Sequence, residues 1–79
     1  MMKRLQNIIN QYKNIYIDDI NFNENTFEVE VDLFNNGYIQ RKDFIKDCNL
    51  IRKELEENNY RCAYDDDFSE FIYMLYIFI

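Results

Sequence analysis

A chain of 79 residues with 15 acidic and nine basic side chains, net charge −6, has length enough for one domain around a single core. That charge disfavours direct contact with DNA or RNA, whose phosphates are held by Lys and Arg, and suits a basic partner instead. Seven Phe and seven Tyr argue against a disordered acidic tail, and the lack of His removes the usual general base near neutral pH and a usual zinc ligand.

In chain order, Leu5, Ile8, Ile9 and Tyr12 form one apolar stripe at helical spacing, which predicts a first helix over residues 2 to 13. A hairpin follows. Phe27, Val29, Val31 and Leu33 alternate with Thr26, Glu28, Glu30 and Asp32, the period of a strand with one acidic face. The strand before it carries Ile15, Ile17, Ile20 and Phe22, and its alternation slips by one at Asp18-Asp19. A β-bulge there keeps all four apolar residues on one face, with Phe22 and Ile20 opposite Phe27 and Val29 around an Asn23-Glu24-Asn25 turn.

Eleven Asn residues cover turn duty in a chain with one Gly and no Pro. Asn35-Asn36-Gly37 is expected to use Gly at positive φ, and a bulged loop would set Ile39 opposite Leu33 on a third strand over residues 38 to 41. Asp43 can cap a second helix whose buried stripe is Phe44, Cys48, Ile51 and Leu55, with Asn58-Asn59 as its stop. Residues 60 to 64 read as a short strand and Asp65-Asp66-Asp67 as a turn.

The last segment carries two signals. Asp67-Phe68-Ser69-Glu70 has capping-box spacing, and Phe68, Phe71, Ile72, Leu75 and Tyr76 fit a helix. Its density of Ile, Tyr and Phe favours a strand, and a helix apolar all round would need more cover than so small a domain offers. The expected class is therefore α+β, a small antiparallel sheet packed with two helices in the order α-β-β-β-α-β-β, the last element being strand or helix. Its surplus apolar surface, with Tyr73, Leu75 and Ile77 as candidate residues, is expected to mark an interface between copies of the chain, a homodimer.

The acidic row Glu28, Glu30 and Asp32 repeats at about 6.6–6.8 Å, as alternate strand residues do. Regular carboxylates can imitate a nucleic-acid strand, whose charges repeat about every 3.4 Å. Asp18, Asp19, Asp65, Asp66 and Asp67 could extend that field, against the plainer reading of a sheet face turned to water. Asp65, Asp66 and Asp67 with Glu70 could in principle hold a cation, but the calcium-loop pattern and its sharp-turning Gly are absent, so no metal or cofactor is expected. Ser69, Thr26, Cys48 and Cys62 have no evident base beside them, so no enzyme is expected. The two cysteines read as reduced, buried thiols, with a disulfide as the alternative. The opening Met1-Met2-Lys3-Arg4 leads into no unbroken apolar stretch, and residues 71 to 79 are too few to span a bilayer, so a cytoplasmic location is expected.

The succession of helix, hairpin, Asn-Gly turn, strand and helix, ending in Tyr64-Asp65-Asp66-Asp67-Phe68-Ser69-Glu70-Phe71, resembles small acidic phage-encoded anti-CRISPR proteins. It is most similar to the short inhibitors that occupy the DNA-binding groove of a CRISPR effector. The resemblance is one of size, charge and element order, and the apolar tail after Phe71 departs from it. It implies carboxylates engaging Arg and Lys that normally hold nucleic acid. The expectation is thus an inhibitor of a basic nucleic-acid-handling protein, the alternative being a homo-oligomeric accessory protein that associates through its apolar tail.

Overall fold

The computed structural model describes residues 2–67 and 69–78. Its elements run α1 (Met2–Ile9), β1 (Ile15–Asn23), β2 (Glu28–Asn35), α2 (Arg41–Glu57), β3 (Arg61–Asp65) and β4 (Ile72–Phe78). The four strands make one antiparallel sheet in the order β1-β2-β4-β3, a mixed α+β fold of the expected class. The tail is a strand. Phe68, on which its helical reading partly rested, lies outside the described residues.

Alternation on β2 decides which way the sheet faces. Val29, Val31 and Leu33 are buried, and β4 sets Ile77, Leu75 and Tyr73 directly beside them. Leu5, Ile8 and Ile9 of α1 and Phe44, Cys48, Ile51 and Leu55 of α2 complete the same core, so both helices cover one face of the sheet. Each large side chain removed from water there contributes about 1.5–3 kcal/mol. Tyr73 is buried among them because its hydroxyl has partners: it donates to Asn49 Oδ1 at 2.9 Å and accepts from Arg52 Nε at 3.2 Å. Its ring stacks on Tyr64 at 5.4 Å, and the Arg52 guanidinium lies 4.4 Å over that second ring.

These contacts correct the expected interface. Tyr73, Leu75 and Ile77 are core residues, so the exposed side of β4 belongs to the alternate residues. Both rows of β4 are apolar, and alternation alone could not tell them apart.

The bulge falls where the slipped pattern placed it. Ile17 pairs with Leu33 and Asp19 with Asp32, leaving Asp18 as the extra residue. The hairpin register, however, sits two residues away from the expected one: Phe22 opposes Val29, and Ile20 opposes Val31. The turn takes four residues, 24 to 27, closed by the Phe27 N–H on the Asn23 carbonyl at 2.9 Å, while Asn23 Oδ1 accepts from the Asn25 N–H at 2.9 Å. Phe27 therefore leaves the strand and takes a left-handed φ of 54°. A shift of two preserves which face each side chain occupies.

No strand forms over residues 38 to 41, and the sheet has one strand fewer than expected on that side. Asn35 Oδ1 accepts from the N–H groups of Gly37 and Tyr38 at 3.1 and 2.8 Å, and its Nδ2 donates to the Tyr38 carbonyl at 3.2 Å. That local ring replaces ladder bonds and leads the chain straight into α2. Ile39 is fully exposed instead of facing Leu33. Gly37 has no positive φ; a Cβ there would lie 2.6 Å from Asn14 Oδ1, so the position is small because Asn14 crosses it.

The helices end earlier or start differently than the pattern implied. α1 stops at Ile9, though Tyr12 still packs on the core. Gln40, not Asp43, is the N-cap of α2 and makes no side-chain cap bond; Asp43 lies in the first turn, where its charge suits the helix dipole. At the other end Asn59 has φ 70°, the Tyr60 N–H reaches the Leu55 carbonyl at 3.1 Å and the Asn59 N–H the Glu56 carbonyl at 3.1 Å. This is the paired closure of a Schellman motif, with Asn in the place of Gly.

Two substitutions check this account by urea unfolding. Phe27 is 62% exposed and packs little, so F27N should relieve its left-handed strain and raise stability by about 0.5–1 kcal/mol. L75A should lower stability by about 2–5 kcal/mol, as expected for a core residue and not for an interface one.

Candidate interaction face

The side of the sheet away from the helices is covered by nothing among the described residues. Its side chains follow from strand alternation and register. β2 contributes Glu28, Glu30, Asp32 and Phe34, each partly buried by its neighbours. On one side of this row β1 places Asn23, Asn21, Asp19 and Tyr16; on the other β4 places Phe78, Tyr76, Met74 and Ile72. Beyond β4, β3 adds Arg61, Ala63 and Asp65. An acidic row therefore runs beside an apolar one in the middle of the sheet. Glu28 is opposite Phe78, Glu30 opposite Tyr76, and Asp32 opposite Met74.

Charge is sorted between the two layers. The helices hold seven basic and five acidic side chains, whereas the four strands hold six acidic and one basic. The single ion pair among the described residues, Arg52–Glu56 at 3.0 Å, is on α2. The sheet carboxylates are thus not neutralised by the protein's own Lys and Arg.

Asp32 is the most constrained of them. Its Oδ1 is buried and has no hydrogen-bond partner among the described residues. Burial pushes its pKa up, and Glu30, Asp19 and Asp18 push in the same direction. Asp19 is oriented by Asn21, whose Nδ2 donates to it at 2.8 Å. Tyr76 reports the same field from the apolar row: burial raises its pKa first, then Glu30, Asp65, Asp32 and Glu28 add to the rise.

Of the residues expected to form an acidic surface, Glu28, Glu30, Asp32, Asp19 and Asp65 share this face, and the exposed bulge residue Asp18 is near enough to act on Asp32. Asp66 and Asp67 do not belong to the row. They lie in the loop after β3, where Arg41 of α2 donates to the Asp66, Ser69 and Glu70 carbonyls, the last two at 2.8 and 3.0 Å. The Asp67 N–H is taken by Asp65 Oδ1 at 3.0 Å.

An open hollow of about 500 Å³ at the hairpin end is lined by Asn21, Phe22, Asn23, Glu24, Glu28 and Glu30. Its polar lining is carboxylate and amide. No group of three or more His, Cys, Asp or Glu among the described residues is arranged to hold a metal ion. Cys48 and Cys62 are free thiols on the core side, and burial raises both pKa values, that of Cys62 to about 11. No helix among the described residues is long and apolar enough to cross a membrane. No known protein family, curated protein or solved structure matches the chain.

Because its pKa is raised by folding, Asp32 destabilises the native state while ionised, and that loss is regained as pH falls through its folded pKa toward the ordinary aspartate value. D32N should therefore have a higher urea midpoint than the natural protein at pH 7, with the difference shrinking in acid. Added salt should stabilise the natural protein more than D32N, since it screens the repulsion among these carboxylates.

Proposed function

We propose that this chain is a small acidic protein-binding domain, an inhibitor that sets its open sheet face against a basic nucleic-acid-handling protein and occupies the surface that phosphates would use. The observation that carries this reading is the unneutralised row Glu28, Glu30 and Asp32, flanked by Asp18, Asp19 and Asp65, on a face no other element covers. Ionised carboxylates accept charge-assisted hydrogen bonds from Arg and Lys, the groups that bind a nucleic-acid backbone. The resemblance in size and charge to phage-encoded anti-CRISPR proteins makes a CRISPR effector the partner to try first, in the cytoplasm of the producing or infected cell. On this reading the protein blocks by occupancy and carries out no reaction of its own.

Self-association through the apolar row Ile72, Met74, Tyr76 and Phe78 is the second reading, favoured by the exposure of Phe71 and Phe78 at its ends. It meets an electrostatic obstacle. Two copies packed face to face would bring their acidic rows within the roughly 10 Å separation of stacked sheets, without cations between them. A basic partner meets no such obstacle.

The test is affinity capture from an extract of the producing cells, using the natural protein and the variant E28K/E30K/D32K as parallel baits. Proteins held through the acidic row should be retained by the first bait alone, released as salt is raised, and displaced by added DNA. Retention of the same proteins by both baits, or indifference to DNA, would defeat the proposal. Sedimentation should show a monomer at neutral pH and low salt; a dimer there would favour the second reading.

A further inference from the structure

The pairing of the two rows says more about the partner than its charge does. We infer that the open face receives an amphipathic α-helix bearing Arg or Lys along one edge and apolar residues along the next, an inference that rests on the reading of this face as a protein-binding surface. Three features lead there. First, each carboxylate has an apolar neighbour on β4, in the pairs Glu28 with Phe78, Glu30 with Tyr76 and Asp32 with Met74. A partner edge that was basic throughout would leave the apolar members in contact with charge, and one that was apolar throughout would bury the carboxylates unpaired, the costlier outcome.

Second, the spacing fits a helix. Alternate strand residues repeat about every 6.6–6.8 Å, and helix residues four apart repeat about every 6 Å, so basic residues at i, i+4 and i+8 track the acidic row along its whole length. Residues at i+3, i+7 and i+11 form the neighbouring ridge of such a helix. The two rows they would meet are about 4.8 Å apart, the separation of adjacent strands. An extended segment lying on the face could not pair its backbone groups with the sheet below, whereas a helix satisfies its own.

Third, the alternatives for an exposed apolar sheet face conflict with the charge. A nucleic-acid strand could stack bases on Tyr76 and Phe78, but its phosphates would meet the carboxylates. A second copy of the chain would bring six more acidic strand residues and one arginine. Charge complementarity selects the basic helix. Asp32, with Glu30, Asp19 and Asp18 close enough to act on its carboxylate, is the position in the row where an added guanidinium relieves the most repulsion.

A synthetic peptide of four helical turns tests this, with Arg at every fourth position and Leu three positions after each Arg in an Ala-Gln background. Its control is the same composition scrambled to break both edges. At low salt the natural protein should bind the patterned peptide about tenfold more tightly than the scrambled one, and the peptide should gain helix by circular dichroism on binding. M74S and Y76S should each erode that preference, weakening the patterned peptide more than the scrambled one. E28K/E30K/D32K should lose both, with its fold checked by thermal unfolding. Equal affinity for the two peptides, binding without helix gain, or no binding of either would overturn the helix inference while leaving the acidic-face reading to its own capture test. Unchanged binding of both peptides by E28K/E30K/D32K would instead strike at that reading itself.

Discussion

The parity of β2 ties the core to the acidic surface. Val29, Val31 and Leu33 point toward the helices, so Glu28, Glu30 and Asp32 have no choice but to point away. A slip of one residue would put three carboxylates among Ile51, Leu55 and Leu75, at a desolvation cost of several kcal/mol each. The bulge at Asp18 serves the same constraint on the neighbouring strand. It absorbs the one residue that would otherwise turn Ile15 and Ile17 out of step with Ile20, and it leaves Asp18 beside the row that β2 displays.

Sorting of charge between layers follows from that geometry but is not required by it. A sheet exposed on one side could interleave Lys with Glu and gain cross-strand pairs. Here the basic residues are concentrated on the helices, where acidic partners are already plentiful, and the strands keep a single arginine at one corner. Burial and the neighbouring carboxylates push the Asp32 pKa up, and its Oδ1 has no hydrogen-bond partner among the described residues; both oppose folding locally. A feature that costs stability and has no structural use is where a functional explanation is warranted.

Much of this was legible in the chain itself because the strongest patterns have a single physical solution. The alternation of residues 28 to 33, the slip at Asp18-Asp19, the helical stripe Phe44, Cys48, Ile51 and Leu55, and the Asn58-Asn59 stop all lead to one structure each. The misses occur where two solutions were open. Asn35 could support a hairpin or close a local ring, and its side chain took the ring once Gly37 was needed to clear Asn14. The Asn23 carbonyl and side chain similarly drew residues 24 to 27 into a longer turn. On β4 both faces are apolar, so composition could not say that Tyr73, rather than Tyr76, goes inside. What decides it is the pair of polar partners, Asn49 and Arg52, that α2 holds over the Tyr73 hydroxyl.

That same strand bears on why the open face is apolar at all. Two helices can cover one side of a four-stranded sheet, and in this chain they do so with a complete core. The outward row Ile72, Met74, Tyr76 and Phe78 therefore adds little to the fold that polar β-formers such as Thr would not, since nothing among the described residues lies over it. Its residues are instead the kind that lose water favourably against another surface, and Tyr and Phe do so at low entropy cost. Set one strand away from carboxylates that form no ion pair among the described residues, they make the face to which the proposal assigns a basic, partly apolar partner. On the proposed reading, the acidic row would give such an encounter its direction and speed, and the apolar row would give the resulting contact its lifetime.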